Sequence, residues 1–138
     1  MDKKYKVGYT SGVFDLFHIG HLNILRKAKE QCEHLIVGVS SDELTIRLKG
    51  RPPVIPYEQR LAIVESIRYV DQAVREDDAD KYQAWLMLHY DALFKGSDAA
   101  ERPSYKEYEQ KLGKEGIDVI YFPYTKGVSS SKIKAYMG

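Results

Sequence analysis

Two histidines lie three positions apart in this chain, in the sequence His18-Ile19-Gly20-His21. Residues at this spacing share one face of a helix, so both imidazoles can contact the same ligand. A helix N-terminus carries free N–H groups and a positive partial charge, both of which favour phosphate. The pair therefore suits stabilisation of the negative charge that develops during phosphoryl transfer.

Two other interpretations of these histidines stay open at this point. They could be ordinary polar residues near a helix cap, or they could bind a metal ion. Zinc on a helix prefers histidines four positions apart with a third ligand nearby, and no Cys/His cluster in the sequence supplies one. We favour phosphate chemistry, because the His-x-Gly-His pattern on a strand-to-helix turn is specific.

The elements around the histidines can be predicted from the apolar pattern. The segment 5–10 is rich in β-formers and predicts a buried strand, and apolar residues at helical spacing predict a helix after it: Leu22, Leu25, Ala28 and Cys32. Four more apolar runs predict strands at 34–39, 72–74, 91–95 and 118–122. Helices are expected to begin near residues 56, 77 and 103. The core-facing residues of the first are predicted to be Leu61, Val64, Ile67 and Val70. The apolar residues of the second are Tyr82, Trp85, Leu86 and His89. The segment 46–53 is basic, then punctuated by Gly and Pro, and predicts a mobile loop.

Strands that alternate with helices, each strand a nearly continuous apolar run, predict an α/β fold with a doubly wound parallel five-stranded sheet and helices on both faces. Ligands of such sheets bind beyond the carboxyl ends of the strands. Four segments of interest follow those ends and are expected to form one composite site: 11–21, the loop that carries Lys49, 96–98 and 124–132. The sequence has neither a Gly-x-Gly-x-x-Gly motif nor a phosphate-binding P-loop.

Length and composition limit the function classes. The 138 residues predict one domain over 1–138 with a sizeable core. A balance of 21 basic and 20 acidic residues gives no overall field for nucleic acid or a membrane surface. No apolar run reaches membrane-spanning length, and no apolar signal region opens the chain. We expect a cytoplasmic protein with no membrane insertion.

Two segments resemble a known family. The segment 13–21 resembles the His-x-Gly-His motif of cytidylyltransferases in the nucleotidyltransferase superfamily, and 125–132 is similar to their second motif, Arg-Thr-x-Gly-Ile-Ser-Thr-Thr. The resemblance covers nearly the whole chain and is strongest to the glycerol-3-phosphate cytidylyltransferases. It implies a Rossmann-like fold and transfer of CMP from CTP to a small phosphate monoester such as glycerol 3-phosphate, with release of pyrophosphate. It also implies Mg²⁺ carried by the nucleotide phosphates, a homodimer, and a role in making precursors of cell-surface polymers.

The resemblance assigns roles to individual residues. Catalysis falls to His18, His21, Lys49 and Arg60. Nucleotide binding falls to both histidines and to Ser11, Gly12, Val13, Phe14, Asp98, Thr125, Gly127, Val128, Ser129, Ser130 and Ser131. Acceptor binding falls to Asp15, Lys49 and Arg60. No direct protein ligand for the metal is expected, with Asp98 as the one candidate. Taken alone, the basic segment around Lys49 also fits a solvated loop, and the serines also fit a helix cap.

The chain departs from the family pattern at several positions. Tyr124 stands where an arginine usually contacts the nucleotide phosphates, so Lys95 or Lys126 is expected to supply that charge. Val13 replaces a frequent threonine, and Ala99 and Ala100 stand where a tryptophan is expected. These departures leave the acceptor open, and also the choice between CTP and ATP. Other acceptors, such as ethanolamine phosphate or a sugar phosphate, stay as alternatives, as does a catalytically silent nucleotide-binding module.

Overall fold

The computed structural model describes residues 3–123, which form a five-stranded sheet with helices. The strands are β1 (Tyr5–Gly12), β2 (Cys32–Ser40), β3 (Gln72–Glu76), β4 (Ala92–Gly96) and β5 (Asp118–Phe122). Their spatial order is β3-β2-β1-β4-β5, and every neighbouring pair is parallel. The chain leaves β1 toward β2 on one side and later returns to β4 on the other. The strand order therefore reverses between β1 and β4, which is where such sheets bind ligands.

The helices cover both faces of the sheet. They are α1 (Ile19–Gln31), α2 (Asp42–Lys49), α3 (Tyr57–Glu65), α4 (Lys81–Leu88) and α5 (Pro103–Lys114), with a 3₁₀ turn over Ser97–Glu101. One core cluster joins α1 and α3 to the sheet through Leu25, Ala28 and Val64. The other joins α4 and α5 to the opposite face through Tyr105 and Leu112, with Trp85 packed against them. The predicted doubly wound α/β architecture is confirmed.

The predicted mobile loop at 46–53 is wrong in its first half. Residues 42–49 form α2, because Ser41 Oγ accepts the Leu44 N–H at 3.0 Å and caps the helix. Gly50 then ends the helix in the left-handed conformation at φ 76°, which glycine adopts without strain. Lys49 is therefore the last residue of a helix.

Smaller differences concern the ends of helices. Cys32 is buried, as expected, but it opens β2 and does not continue α1. Helix α3 stops at Glu65, and Ile67 and Val70 pack on the core from the turns that follow. His89 ends α4 in the left-handed region at φ 52°. No helix within residues 3–123 is long and apolar enough to cross a membrane.

Candidate active site

A cavity of about 510 Å³ lies at the carboxyl ends of β1 and β4. Its walls come from the loop after β1, the first turn of α1, the end of α2, and the start of the segment after β4. The predicted site residues that line it are Ser11, Gly12, Val13, Phe14, Asp15, His18, His21, Lys49 and Asp98. The topology thus brings together residues from three of the four segments that the sequence pointed to.

The two histidines form the first turn of α1. His18 is the N-cap, and its Nδ1 accepts the Gly20 N–H at 3.0 Å. His21 Nδ1 accepts the His18 backbone N–H at 3.1 Å. The two rings stack with their centroids 3.9 Å apart and an angle of 24° between their planes. Both imidazoles therefore lie on one face at a helix N-terminus, as the spacing predicted.

These hydrogen bonds decide which nitrogen carries the proton. A nitrogen that accepts a hydrogen bond is not protonated, so a neutral ring here carries its proton on Nε2. Burial lowers the pKa of His18, and burial together with the charge of His18 lowers the pKa of His21 to about 4. Both rings are therefore neutral at pH 7, and each offers an Nε2–H donor.

The loop between β1 and α1 has an unusual backbone. Phe14 and Leu16 have φ angles of 55° and 50°, a region that side chains other than glycine rarely adopt. The buried Asp15 lies between them, and its carboxylate accepts the N–H groups of Val54 and Ile55, each at 2.9 Å. Asp15 therefore lines the cavity and also fastens the segment before α3 to the loop that carries the histidines.

Arg60 does not take the position that the sequence predicted. The expected contact with a phosphate is replaced by buried hydrogen bonds, and the side chain is 0% exposed and does not line the cavity. The guanidinium donates to the carbonyl oxygens of Ile55, Val13 and Ser40 and to the carboxylate of Asp42, at 2.6–2.8 Å. Arg60 is a positioning residue that holds together three segments around the cavity.

Lys49 and Asp98 lie on the cavity wall. Lys49 is exposed at the end of α2, and its charge contributes to the lowered pKa of His21. Asp98 lies in the 3₁₀ turn, and its carboxylate accepts from the Arg102 guanidinium at 2.9 Å. Within residues 3–123 no group of three or more His, Cys, Asp or Glu side chains could hold a metal ion.

The sequence analysis missed a buried polar cluster on the cavity floor. Lys81 Nζ contacts both carboxylate oxygens of Glu76, at 2.9 and 3.0 Å, and the Tyr9 hydroxyl donates to the same carboxylate at 2.7 Å. Glu76 and Lys81 are each 7% exposed and line the cavity. Lys81 follows Glu76 by only five positions, but Tyr9 is 67 positions away, so the sequence does not show that the three side chains meet.

Lys95 also lies in this part of the cavity, at the end of β4. Its Nζ donates to the Ser11 carbonyl oxygen at 2.5 Å, across the switch point between β1 and β4. The second predicted motif lies outside the described residues, and so do its candidates Thr125, Gly127, Val128, Ser129, Ser130 and Ser131.

Comparison with known proteins tests the resemblance. The model of the family described as cytidylyltransferase-like matches residues 9–136. "Glycerol-3-phosphate cytidylyltransferase" from Staphylococcus aureus (strain NCTC 8325 / PS 47) is 36% identical over 132 residues, which cover 91% of this chain and 89% of that protein. "FAD synthase" from Pyrococcus abyssi (strain GE5 / Orsay) is 36% identical over 117 residues, which cover 83% and 78%.

A solved structure agrees with the fold. The lipopolysaccharide core biosynthesis protein from Thermoplasma volcanium GSS1 superposes with a TM-score of 0.72 at 27% identity, covering 90% of this chain and 99% of that one. With the two stacked histidines at the switch point of the sheet, these matches confirm the resemblance. The chain belongs to the cytidylyltransferase-like family and is a nucleotidyltransferase enzyme.

Proposed function

We propose that this enzyme transfers CMP from CTP to a small phosphate monoester, glycerol 3-phosphate, and releases pyrophosphate. The observation that carries this proposal is the stacked pair His18–His21, neutral at a helix N-terminus inside the cavity. The relative from S. aureus, which is named for this reaction, supports the choice of substrates.

The reaction needs no covalent intermediate. An oxygen of the acceptor phosphate attacks the α-phosphorus of CTP, and a new P–O bond forms. The bond from that phosphorus to its bridging oxygen breaks, and pyrophosphate leaves with the bonding electrons. Catalysis of such transfers comes from positioning and from stabilising the charge that develops.

The chain supplies donors for this charge. The Nε2–H groups of His18 and His21 are hydrogen-bond donors for oxygens on the α-phosphate and the leaving group. Because the rings are neutral, they carry no net charge that would bind the ground-state triphosphate as strongly as the transition state. The N-terminus of α1 adds a positive partial charge in the same place, and Lys49, at the end of α2, adds a full charge on the cavity wall.

Magnesium enters the proposal as a partner of the nucleotide. It prefers oxygen ligands and is commonly held by substrate phosphates with one or two carboxylates. Among residues 3–123, the three carboxylates that line the cavity are engaged: Asp15 by backbone N–H groups, Glu76 by Lys81 and Tyr9, and Asp98 by Arg102. This donor set is consistent with an ion carried mainly by the triphosphate, whose charge it would neutralise.

A second candidate is adenylyl transfer from ATP to a different phosphate monoester. The relative from P. abyssi, which is named FAD synthase, favours this candidate at the same percentage identity. The chemistry at the α-phosphorus is the same in both reactions. The two candidates therefore differ only in the base and in the acceptor.

The test is pyrophosphate release, with magnesium, from CTP or ATP against glycerol 3-phosphate, ethanolamine phosphate, a sugar phosphate and FMN. The proposal predicts release that needs both CTP and glycerol 3-phosphate. Release from ATP with FMN would establish the second candidate instead. Tight nucleotide binding with no release from any pair would indicate a catalytically silent binding module.

The proposal also includes a homodimer and a place in biosynthesis. A cytidine diphosphate-activated polyol is a donor that polymer-forming transferases consume, which supports a role in making cell-surface polymers. Sedimentation equilibrium measures the assembly, and a mass of one chain at assay concentration would contradict the dimer.

A further inference from the structure

One part of the cavity is lined by polar side chains to which the chemistry at the phosphates gives no role. Glu76 ends β3, Lys81 begins α4, and Tyr105 lies in the first turn of α5. All three line the cavity, and they are only 7%, 5% and 4% exposed. Three separate elements therefore place a carboxylate, an ammonium group and a phenol on one cavity wall, at the cost of burying them.

The hydroxyl of Tyr105 is available to a ligand. It makes no hydrogen bond with another residue within 3–123, although its ring is fixed edge-on against Tyr108 with centroids 5.2 Å apart. Burial and the charge of Glu76 raise the pKa of Tyr105, so the hydroxyl keeps its proton at neutral pH. A buried hydroxyl on a cavity wall is costly unless a ligand or water satisfies it.

The pair Glu76–Lys81 also keeps part of its hydrogen-bonding capacity. Lys81 Nζ contacts both carboxylate oxygens, at 2.9 and 3.0 Å, while the Tyr9 hydroxyl donates to Oε2 alone. A carboxylate has about four lone-pair positions and an ammonium group about three N–H donors. The Oε1 atom of Glu76 can therefore accept once more, and Lys81 can still donate.

The charges of this part of the cavity disfavour a cationic ligand. Glu76 is paired with Lys81, and Asp98 is paired with Arg102. Lys95 lines the same cavity and adds positive charge. An ammonium group of a ligand would have to displace a protein cation from one of these two carboxylates. An uncharged hydroxyl group avoids this cost, since it needs only one lone pair or one N–H.

We propose that Glu76, Lys81 and Tyr105 bind the hydroxyl groups of the acceptor and select a polyol phosphate over an aminoalkyl phosphate. A hydroxyl both donates and accepts a hydrogen bond, which matches a carboxylate beside an ammonium group and a phenol. This inference rests on the proposed function for the reaction at the phosphate. It applies to both candidates, because glycerol 3-phosphate and FMN each carry their phosphate on a polyol chain.

Acceptors that differ in single groups test this selection in the wild type. Pyrophosphate release is measured with glycerol 3-phosphate, with propyl phosphate, which lacks both hydroxyls, and with ethanolamine phosphate, which carries an ammonium group. Two hydrogen bonds predict a kcat/KM about 10- to 100-fold higher for glycerol 3-phosphate than for propyl phosphate, and ethanolamine phosphate should be no better than propyl phosphate. An equal or higher kcat/KM with either analogue would overturn the proposal.

The variant Tyr105→Phe removes one hydroxyl and keeps the ring. The KM for glycerol 3-phosphate should rise about 3- to 10-fold, while the KM values for propyl phosphate and CTP stay unchanged. Tyr82→Phe is the matched control, because Tyr82 is partly buried on α4 but does not line the cavity. A structural role would weaken all acceptors alike, so equal changes for both acceptors, or no change for glycerol 3-phosphate, would contradict the assignment.

Failure of the proposed function has a different signature. Release from ATP with FMN would replace the proposed substrates, and the polyol assignment then predicts a raised KM for FMN in Tyr105→Phe. If no pair reacts, calorimetry with CTP present compares the affinities for glycerol 3-phosphate and propyl phosphate. A preference for glycerol 3-phosphate that Tyr105→Phe reduces supports the assignment, and equal affinities in the wild type would refute it.

Discussion

The rings of His18 and His21 stack 3.9 Å apart, and the Nδ1 of each accepts a backbone N–H of the first turn of α1. The Nδ1 of each ring therefore caps the helix, and Nε2 is the ring nitrogen that can donate to a ligand. The side chains that cap the helix are thus the same two that we propose as catalytic donors. This relationship makes the two functions separable by substitution.

Replacement of His18 by asparagine is expected to separate the cap from the donor. Asparagine is a good N-cap residue, so His18→Asn should melt within a few degrees of the wild type. In the proposed reaction the lost Nε2–H acts in the transition state, so kcat should fall about 100- to 1,000-fold while CTP affinity changes little. Pyrophosphate release, calorimetry and thermal melting measure the three quantities. A His18→Asn variant with near-normal kcat would contradict the role given to His18.

Acid should destabilise the fold through His21. Burial holds its pKa at about 4, against an ordinary value of 6.5, so the unfolded chain binds more protons between those values. The free energy of unfolding should therefore fall as the pH is lowered from about 6.5 to about 4. His21→Gln keeps an acceptor for the His18 N–H and removes the titrating group. Urea titrations across this range should show a smaller loss in His21→Gln, and equal losses in both proteins would refute the assignment.

Replacement of Arg60 should lower the stability of the fold, whereas replacement of Lys49 should lower activity. Arg60→Met leaves three carbonyl oxygens and the Asp42 carboxylate without their donor, which should cost about 3–5 kcal/mol of unfolding free energy. Lys49→Met removes an exposed charge from the cavity wall, and we expect it to lower kcat/KM with less than about 0.5 kcal/mol of destabilisation. Urea denaturation and initial rates on both variants test the contrast. A fully stable Arg60→Met would show that its hydrogen bonds are not needed for the fold.

The floor pair Glu76–Lys81 should be strongly coupled. Each side chain is 7% exposed, so Lys81→Met leaves a buried carboxylate without its cation and should cost about 3–5 kcal/mol. The double variant Glu76→Gln/Lys81→Met removes both charges and should be more stable than Lys81→Met alone. A double-mutant cycle by denaturation measures the coupling. Additive effects would contradict a direct interaction between the two residues.

The sequence predicted the parts of this molecule that depend on local pattern. The five parallel strands followed from apolar runs, and the histidine pair followed from helical spacing. The second half of α2, residues 46–49, was predicted as a loop because Ile46 and Leu48, which are 45% and 62% exposed, mark no apolar face.

Other features depend on tertiary contacts that no pattern carries. Arg60 was predicted to contact a substrate phosphate, but its side chain is buried by hydrogen bonds to carbonyl oxygens from three separate segments. The contacts between Tyr9, Glu76 and Lys81 likewise join residues from three elements. Such networks become visible only once the strand order is known.

The most direct test of the proposed reaction is ³¹P NMR of CTP, glycerol 3-phosphate and magnesium with the enzyme. The signals of CTP and the monoester should be replaced by those of a cytidine diphosphate ester and of pyrophosphate in equal amounts, and His18→Asn should slow this conversion about 100-fold or more. An unchanged spectrum, or CTP consumed without loss of the monoester signal, would contradict CMP transfer to glycerol 3-phosphate.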